Sequence, residues 1–327
     1  MINHKKITIL FILITLINGC SSLNITGKTT EDVIIKETTK EPIVYFCPKD
    51  DCSKHLIDLI NSAQSYVHCA LFDLKLKDVI KALALKSHKV DVKVVIDNEN
   101  YKNQIKGDGI KVDNKNQLSH NKFCVVDDDI VWTGSFNPTE RGNFYNNNNA
   151  ILFYSKYLAE NYEEEFQELW NGNFSSGNKV KNKIIYLNNK KIENYFCPED
   201  NCKEHVIETI NSAEESIYFM TFSFTDEETA DAILFKDIDI KGVFEKLQAG
   251  SEYSQYKRLK DFGLDVKLDK NKYNMHHKVF IIDNETVITG SYNPTGSGNY
   301  RNDENIIIVH DEDVAKKYLE EFEHIFS

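Results

Sequence analysis

One pattern of chemically active residue types occurs twice in this chain. Each copy has a His-x-Lys triplet, an Asp five residues beyond the Lys, and a Gly-Ser-aromatic-Asn stretch beginning seven residues after that Asp. The members are His120, Lys122, Asp127, Gly134 and Asn137 in the first copy, and His276, Lys278, Asp283, Gly290 and Asn293 in the second. Each second-copy residue lies 156 positions after its first-copy equivalent (276 − 120, 283 − 127, 290 − 134). This common register predicts a single pseudo-symmetric site.

The residue types suit the cleavage of a phosphate ester. A neutral imidazole can attack phosphorus or accept a proton, and an imidazolium can donate one. Lys provides a fixed positive charge for phosphate oxygens, and the Asn amide adds a neutral donor. Each triplet leads into an apolar run, 123–126 or 279–282, that indicates a short strand. Residues i and i+2 share one face of a strand, so each His emerges beside its Lys, whereas His277 is predicted to face away.

The repeated motif, His-x-Lys-x4-Asp-x6-Gly-Ser-x-Asn, resembles that of the phospholipase D superfamily over most of the chain from Tyr45 onward. This superfamily includes phospholipases, cardiolipin synthases and hydrolases, and nucleases. The resemblance implies two similar α-β-α sandwich halves, an α/β fold, packed pseudo-symmetrically around one active site. It also implies a covalent phosphohistidine intermediate, with no metal or other cofactor required.

The resemblance assigns roles to the motif residues. His120 would be the nucleophile and His276 the general acid and base. Lys122, Lys278, Asn137 and Asn293 would hold the phosphate oxygens. Asp127 and Asp283 lie on the opposite strand parity from the lysines, so we expect them to brace the fold. Gly134 and Gly290 are expected to allow close backbone approach to the phosphate.

The chain departs from the family pattern at one position. The family often places an acidic residue after each motif, where it orients the histidine of the opposite half. Glu304 occupies that position in the second copy, but Asn148 occupies it in the first, again at an offset of 156. Cross-pairing would therefore give His120 a carboxylate partner and His276 an amide. We expect a lower pKa for His276 as a result.

The N-terminus predicts export. Lys5 and Lys6 precede a short apolar stretch that ends at Cys20, which is typical of a signal peptide with a lipoprotein-type cleavage site at Cys20. An uncleaved, membrane-inserted N-terminus is the alternative. Either interpretation predicts an extracytoplasmic, membrane-tethered protein.

The net charge limits the choice of partner. It is −12 for the whole chain, and residues 1–20 contribute +2 through two lysines, so residues 21–327 carry −14. Nucleic-acid binding normally leaves a basic footprint, which the composition does not show, although a local basic cleft could lie within an acidic total. A phospholipid is the expected substrate, with nucleic acid as the alternative, and the protein is expected to be a monomer.

The cysteines suit an exported chain. Cys47 and Cys52 form one C-x4-C pair, and Cys197 and Cys202 form its repeat, so we predict two local disulfides. Four thiolates on one zinc ion is the alternative, at an unusual spacing. Cys69 and Cys124 lie in apolar runs and are predicted to be small buried hydrophobic residues.

Strands alternate with helices in both copies, which predicts an α/β fold. The predicted organisation is a signal peptide, a flexible tether, a first half, a linker and a second half, at residues 1–20, 21–42, 43–172, 173–192 and 193–327. Two functions fit, a phospholipase D that releases phosphatidic acid and an alcohol, and a metal-independent extracytoplasmic endonuclease. A third interpretation is a binding protein that keeps the phosphate pocket without turnover, which Asn148 alone favours.

Overall fold

The computed structural model describes residues 34–114 and 117–327. The predictions for Cys20, the signal peptide and most of the tether lie outside them. Up to Asn171 the elements are β1 Ile35–Glu37, β2 Ile43–Cys47, α1 Cys52–Ser62, β3 Tyr66–Leu71, α2 Lys77–Lys86, β4 Asp91–Ile96, β5 Ile110–Val112, β6 Lys122–Val126, β7 Ile130–Gly134, α3 Glu140–Phe144, β8 Asn148–Tyr154 and α4 Lys156–Asn171.

The elements of the second half are β9 Ile184–Leu187, β10 Lys190–Cys197, α5 Cys202–Asn211, β11 Ser216–Thr221, α6 Glu227–Leu234, β12 Asp239–Phe244, α7 Tyr256–Asp261, β13 Asp265–Leu268, β14 Lys278–Ile282, β15 Thr286–Gly290, α8 Gly296–Tyr300, β16 Glu304–His310 and α9 Glu312–Phe326. From β10 onward the second half repeats the order that begins at β2, with one additional helix, α7, between its equivalents of β4 and β5. No helix within the described ranges is long and apolar enough to cross a membrane.

Two mixed sheets carry the repeat. Among the described residues, one sheet has the strand order β2-β8-β7-β6-β3-β4-β5, and the other has β1-β9-β10-β16-β15-β14-β11-β12-β13. The last seven strands of the second order correspond one for one to the first sheet. Strands β3, β4 and β5 are parallel to one another and β6 is antiparallel to β3, so the amino end of β6 lies beside the carboxyl ends of the parallel strands. Lys122 and Lys278 therefore lie at equivalent edges of the two sheets.

Local sequence explains how the elements begin and end. Ser155 caps α4 by accepting the Leu158 N–H, and Gly172 ends this helix in the left-handed conformation at φ 90°. The hairpin turns after β6 and β14 contain Asp127 and Asp283 at φ 52° and 53°, a conformation that Asp tolerates better than most residues. Strands β6 and β14 are buried on both faces, which matches their continuous apolar runs.

Parts of the predicted tether and of the predicted linker form strands. Residues 35–37, assigned to the flexible tether, form β1 and pair in parallel with β9, which lies within the predicted linker. The Glu37 carboxylate accepts hydrogen bonds from Ser155 Oγ and from the Lys156 N–H, the latter at 2.9 Å. Sequence reasoning missed both strands, because β1 has one apolar residue followed by two charged ones and the apolar run of β9 lies inside a segment rich in Lys and Asn.

A buried network of hydrogen bonds joins the two halves. Asn149 Nδ2 donates to Thr289 Oγ1 at 2.7 Å and to Tyr318 OH at 2.9 Å in the other half. Asn305 Oδ1, its equivalent, accepts from Thr133 Oγ1 at 2.9 Å and from Tyr162 OH at 3.2 Å. Because buried amides need partners, this reciprocal pairing favours one register between the halves.

Candidate active site

His120 is held by a carboxylate from the other half of the molecule. Its Nδ1 lies 2.7 Å from Glu304 Oε2, and its backbone N–H donates to the Asp303 carbonyl at 3.0 Å. Glu304 is fully buried, and burial raises the pKa of Glu304 to about 7. The geometry agrees with the cross-pairing expected from the sequence. A proton on Nδ1 leaves the Nε2 lone pair free for chemistry.

His276 has the amide partner that the sequence departure predicted. Its Nδ1 lies 2.9 Å from Asn148 Oδ1 and 3.2 Å from the Ser135 carbonyl. Asn148 Nδ2 donates to the Gly142 carbonyl at 2.9 Å, which points the amide oxygen at the ring. Both histidines therefore present Nε2 to the same site, but only His120 has a carboxylate behind it.

The two lysines concentrate positive charge beneath the histidines. Lys122 Nζ donates to the His120 carbonyl at 2.5 Å, and Lys278 Nζ donates to the His276 carbonyl at 2.8 Å. Burial lowers the pKa of Lys122 to about 7 and holds the pKa of Lys278 well below its usual range. Burial, followed by the two lysine charges, holds the pKa of both histidines well below the usual range. This concentration of cationic and neutral donors suits an anion, whose charge would offset the lysines.

Asn137 and Asn293 follow the hairpins as predicted. In both residues, the side-chain oxygen is buried and has no hydrogen-bond partner among the described residues. This oxygen therefore makes no hydrogen bond that stabilises the fold. Gly134 and Gly290 have φ of 141° and 143°. A Cβ on either would collide with the carbonyl of Asn149 or Asn305 in the neighbouring strand. These glycines therefore allow the neighbouring strand to approach closely, and not a phosphate as the sequence predicted.

Sequence reasoning missed two phenylalanines that contact the histidines of the site. Phe72 and Phe222 contact His120 and His276 edge-on, with ring centroids 4.7 Å and 4.6 Å apart respectively. Lys122 Nζ and Lys278 Nζ each lie 4.9 Å from the centroid of the same ring in their half. These phenylalanines are 150 residues apart, like the repeated cysteines, which is the signal that could have found them.

The remaining motif residues lie outside the site. Asp127 accepts the backbone N–H groups of residues 64–66, and Asp283 accepts those of residues 214–216, so both brace the hairpins. His277 is buried on the opposite side, between Asn149 and Glu321. Among the described residues, one group of side chains of types that can bind a metal has its ligand atoms within 4.8 Å of one another. It consists of Glu165, Glu168 and Glu199 and lies outside the His–Lys site.

The structure contains three disulfides among the described residues. Cys47–Cys52 and Cys197–Cys202 close the turns before α1 and α5, in separate halves, rather than sharing a zinc ion. Cys69 and Cys124 are buried as predicted, but they are bonded to each other. They lie opposite each other on β3 and β6, a register that the sequence alone did not reveal.

Comparison with known proteins agrees with this geometry. A family model described as "cardiolipin synthase, PLD-like domain", where PLD denotes phospholipase D, matches residues 56–170 and 206–326. A phospholipase D from Rickettsia felis is 32% identical over 150 residues, which cover 45% of this chain and 75% of that protein. A mitochondrial cardiolipin hydrolase from Xenopus laevis is 29% identical over 137 residues, covering 40% and 65%. These relatives therefore match a region about the size of one half.

A solved structure matches the two-half architecture. The phosphatidylserine synthase of Haemophilus influenzae aligns over 86% of this chain and 85% of its own, with a TM-score of 0.67 and 11% sequence identity. At that identity the likeness concerns the fold alone. The strands and helices of both halves are therefore arranged as in a known two-half protein.

Proposed function

Because this chain belongs to the phospholipase D superfamily of phosphodiesterases, we propose that it hydrolyses glycerophospholipids to phosphatidic acid and an alcohol. We also propose that it acts outside the cytoplasm, tethered through Cys20 at its N-terminus. The pairing of His120 Nδ1 with the buried Glu304, at 2.7 Å, carries the catalytic part of the proposal. It gives one histidine the anchoring that a nucleophile needs.

The first step forms a phosphorus–nitrogen bond. His120 Nε2 attacks phosphorus, and Glu304 stabilises the positive charge that develops on the ring. The bond from phosphorus to the head-group oxygen breaks, and His276 gives its Nε2 proton to the departing oxygen. The bound phosphate offsets the charges of Lys122 and Lys278, which raises the pKa of His276 enough for it to carry that proton.

The second step releases the phosphatidyl group. His276, now neutral, takes a proton from water, and the resulting oxygen attacks phosphorus while the bond to His120 breaks. Phosphatidic acid leaves and both histidines return to their starting states. An alcohol in place of water would transfer the phosphatidyl group to that alcohol.

Charge favours a lipid over a nucleic acid. Residues 21–327 carry −14, from −12 for the chain less +2 in residues 1–20. Acidic residues close to the site, namely Glu304, Asp97 and the half-buried Asp73, act on the charge of Lys122. A long polyanion would meet this field along its length, whereas a phospholipid places only its head group there. Relatives named phospholipase D and cardiolipin hydrolase support the same choice.

A direct competition between substrates tests the proposal. Protein comprising residues 21–327 would be incubated with EDTA, vesicles of phosphatidylglycerol, cardiolipin and phosphatidylethanolamine, and a labelled single-stranded oligonucleotide. Mass spectrometry would follow both substrates. We expect phosphatidic acid and an intact oligonucleotide. A cut oligonucleotide beside untouched lipid would replace the lipid proposal with the nuclease.

Three variants separate catalysis from binding. His120→Ala removes the nucleophile and should abolish product, while His88→Ala alters an exposed histidine and should not. His276→Asn with a p-nitrophenyl phosphodiester should accumulate the phosphorylated His120 peptide, because this leaving group needs no proton. Lack of turnover by the native chain, with phosphate still bound, would favour the binding-protein alternative.

A further inference from the structure

Asp113 lies where two parallel strands reach the active-site edge. It follows β5 directly, and Asp97 follows the adjacent β4, with Ile96 paired to Val112. The two acidic residues are 7% and 0% exposed. Burying a carboxylate is costly unless it is hydrogen-bonded, so the partners of Asp113 indicate its role.

Asp113 ties the backbone before His120 to a neighbouring loop. Its Oδ2 accepts the Ser119 N–H at 3.0 Å, and its Oδ1 accepts the backbone N–H and the Nδ2 of Asn98, both at 2.8 Å. Ser119 immediately precedes His120, and its own exposure is 0%. Both oxygens of Asp113 are thus occupied by donors that set the path of the chain into the histidine.

The equivalent arrangement in the second half is looser. Asp269 lies 156 residues after Asp113 and accepts the Lys246 N–H on Oδ1 at 3.1 Å. Burial raises the pKa of Asp269 to about 6 and the Met275 N–H opposes that rise, but Asp269 Oδ2 has no hydrogen bond of ordinary geometry within the described residues. Lys246 occupies the place of Asn98 and has no amide with which to bridge the loop.

We infer that Asp113 is a positioning residue for His120, acting through the Ser119 N–H and supported by Asn98. The inference rests on the proposed function, in which His120 attacks phosphorus. His120 is then anchored from both ends, by Glu304 at the ring and by Asp113 at the backbone. His276, which only transfers protons, has the weaker support at both places. A nucleophile displaced by about 1 Å loses roughly a hundredfold in rate, so backbone anchoring matters most for His120.

The substitution Asp113→Asn tests this assignment. The amide replaces one acceptor oxygen with a donor, which must face either the Ser119 N–H or Asn98. With bis(p-nitrophenyl) phosphate in stopped flow, the wild-type protein should release a burst of p-nitrophenol as His120 is phosphorylated. We expect the burst rate of Asp113→Asn to fall about tenfold or more, with little change in KM.

Two matched Asp→Asn variants serve as controls. Asp269→Asn changes the pseudo-symmetric residue and should reduce the burst rate less than Asp113→Asn. Asp127→Asn removes a brace that accepts three backbone N–H groups away from the histidine. It should lower Tm while leaving the burst rate near that of the wild type. If Asp113→Asn keeps a burst rate within about twofold of Asp127→Asn, the positioning role is wrong.

A second readout does not depend on turnover. Imidazole ¹H–¹⁵N NMR of histidine-labelled protein reports the environment of each ring. We expect Asp113→Asn to shift the His120 ring signals and leave those of His276 in place. A wild-type protein that releases no p-nitrophenol would refute the proposed function. The NMR comparison would still decide the inference, since unchanged His120 signals would overturn it.

Discussion

His120 and His276 occupy equivalent positions but have different partners. Glu304 faces the first ring at 2.7 Å and Asn148 faces the second at 2.9 Å. A carboxylate stabilises an imidazolium, whereas an amide oxygen orients the ring with little effect on its charge. In the proposed mechanism, this one-residue difference assigns the nucleophile to His120 and the general acid and base to His276.

Asn148→Asp should shift the pH dependence of kcat/KM. A carboxylate beside Nδ1 raises the pKa of His276, so the acid form survives to higher pH and the alkaline limb moves upward by about one unit. The new oxygen would face the Gly142 carbonyl, to which Asn148 now donates at 2.9 Å, so Tm should fall. An unchanged alkaline limb would show that His276 does not supply the proton.

Lys122→Met should abolish activity and stabilise the protein. Burial lowers the pKa of Lys122 from 10.5 to about 7, so the wild type loses stability as pH falls from about 10 toward 7. Methionine removes that cost, and at pH 7 we expect a gain of about 1–2 kcal/mol, seen as a Tm several degrees higher. The gain should shrink toward pH 10. A variant with lower Tm at every pH would contradict this account.

At the scale of elements, β6 and β14 matter most. Each strand begins at a motif Lys and pairs antiparallel with β3 or β11 on one side. On the other side it turns through an Asp into an antiparallel hairpin. This pairing places the functional end of each strand at the sheet edge where the halves meet. In the first half, the bridge between Cys69 and Cys124 also links β6 covalently to β3.

Removing this bridge should cost more stability than removing a local one. Cys69→Ala with Cys124→Ala opens a link across 55 residues, whereas Cys47→Ala with Cys52→Ala opens one across five. Loop-closure entropy predicts losses of about 4 and about 2 kcal/mol. Urea unfolding of both double variants, with the disulfide-bonded wild type as reference, measures the difference. Equal losses would mean that loop entropy does not dominate.

At the scale of the whole molecule, charge opposes the proposed substrate surface. The −14 carried by residues 21–327, from −12 less +2 for residues 1–20, repels anionic vesicles unless the protein is tethered to them. The N-terminal tether, which remains a prediction, would supply that local concentration. The same charge would leave zwitterionic surfaces accessible.

Salt should therefore increase activity on anionic vesicles for the untethered protein. Raising NaCl from about 20 to about 200 mM shortens the screening length and weakens repulsion, so we expect a severalfold higher initial rate with phosphatidylglycerol vesicles. Phosphatidylcholine vesicles serve as the control and should show little change. A rate that falls with salt on anionic vesicles would indicate a basic binding surface instead.

Local sequence by itself determined the motif residues, their shared register and most of the elements. The apolar runs 123–126 and 279–282, predicted to be short strands, lie within β6 and β14. Periodicity, capping and apolar runs act over a few residues, so they can be read directly from the chain. The same patterns predicted that His277 would face away from the site.

Tertiary structure alone decided how distant residues meet. The bridge between Cys69 and Cys124 depends on the register of β3 against β6, and the strand pair β1–β9 joins segments about 150 residues apart. The Asp113 contact with Ser119 and the reciprocal Asn149 and Asn305 bonds likewise depend on packing. No local pattern encodes these pairings, because they arise only when whole sheets bury their apolar faces and buried polar groups must find partners.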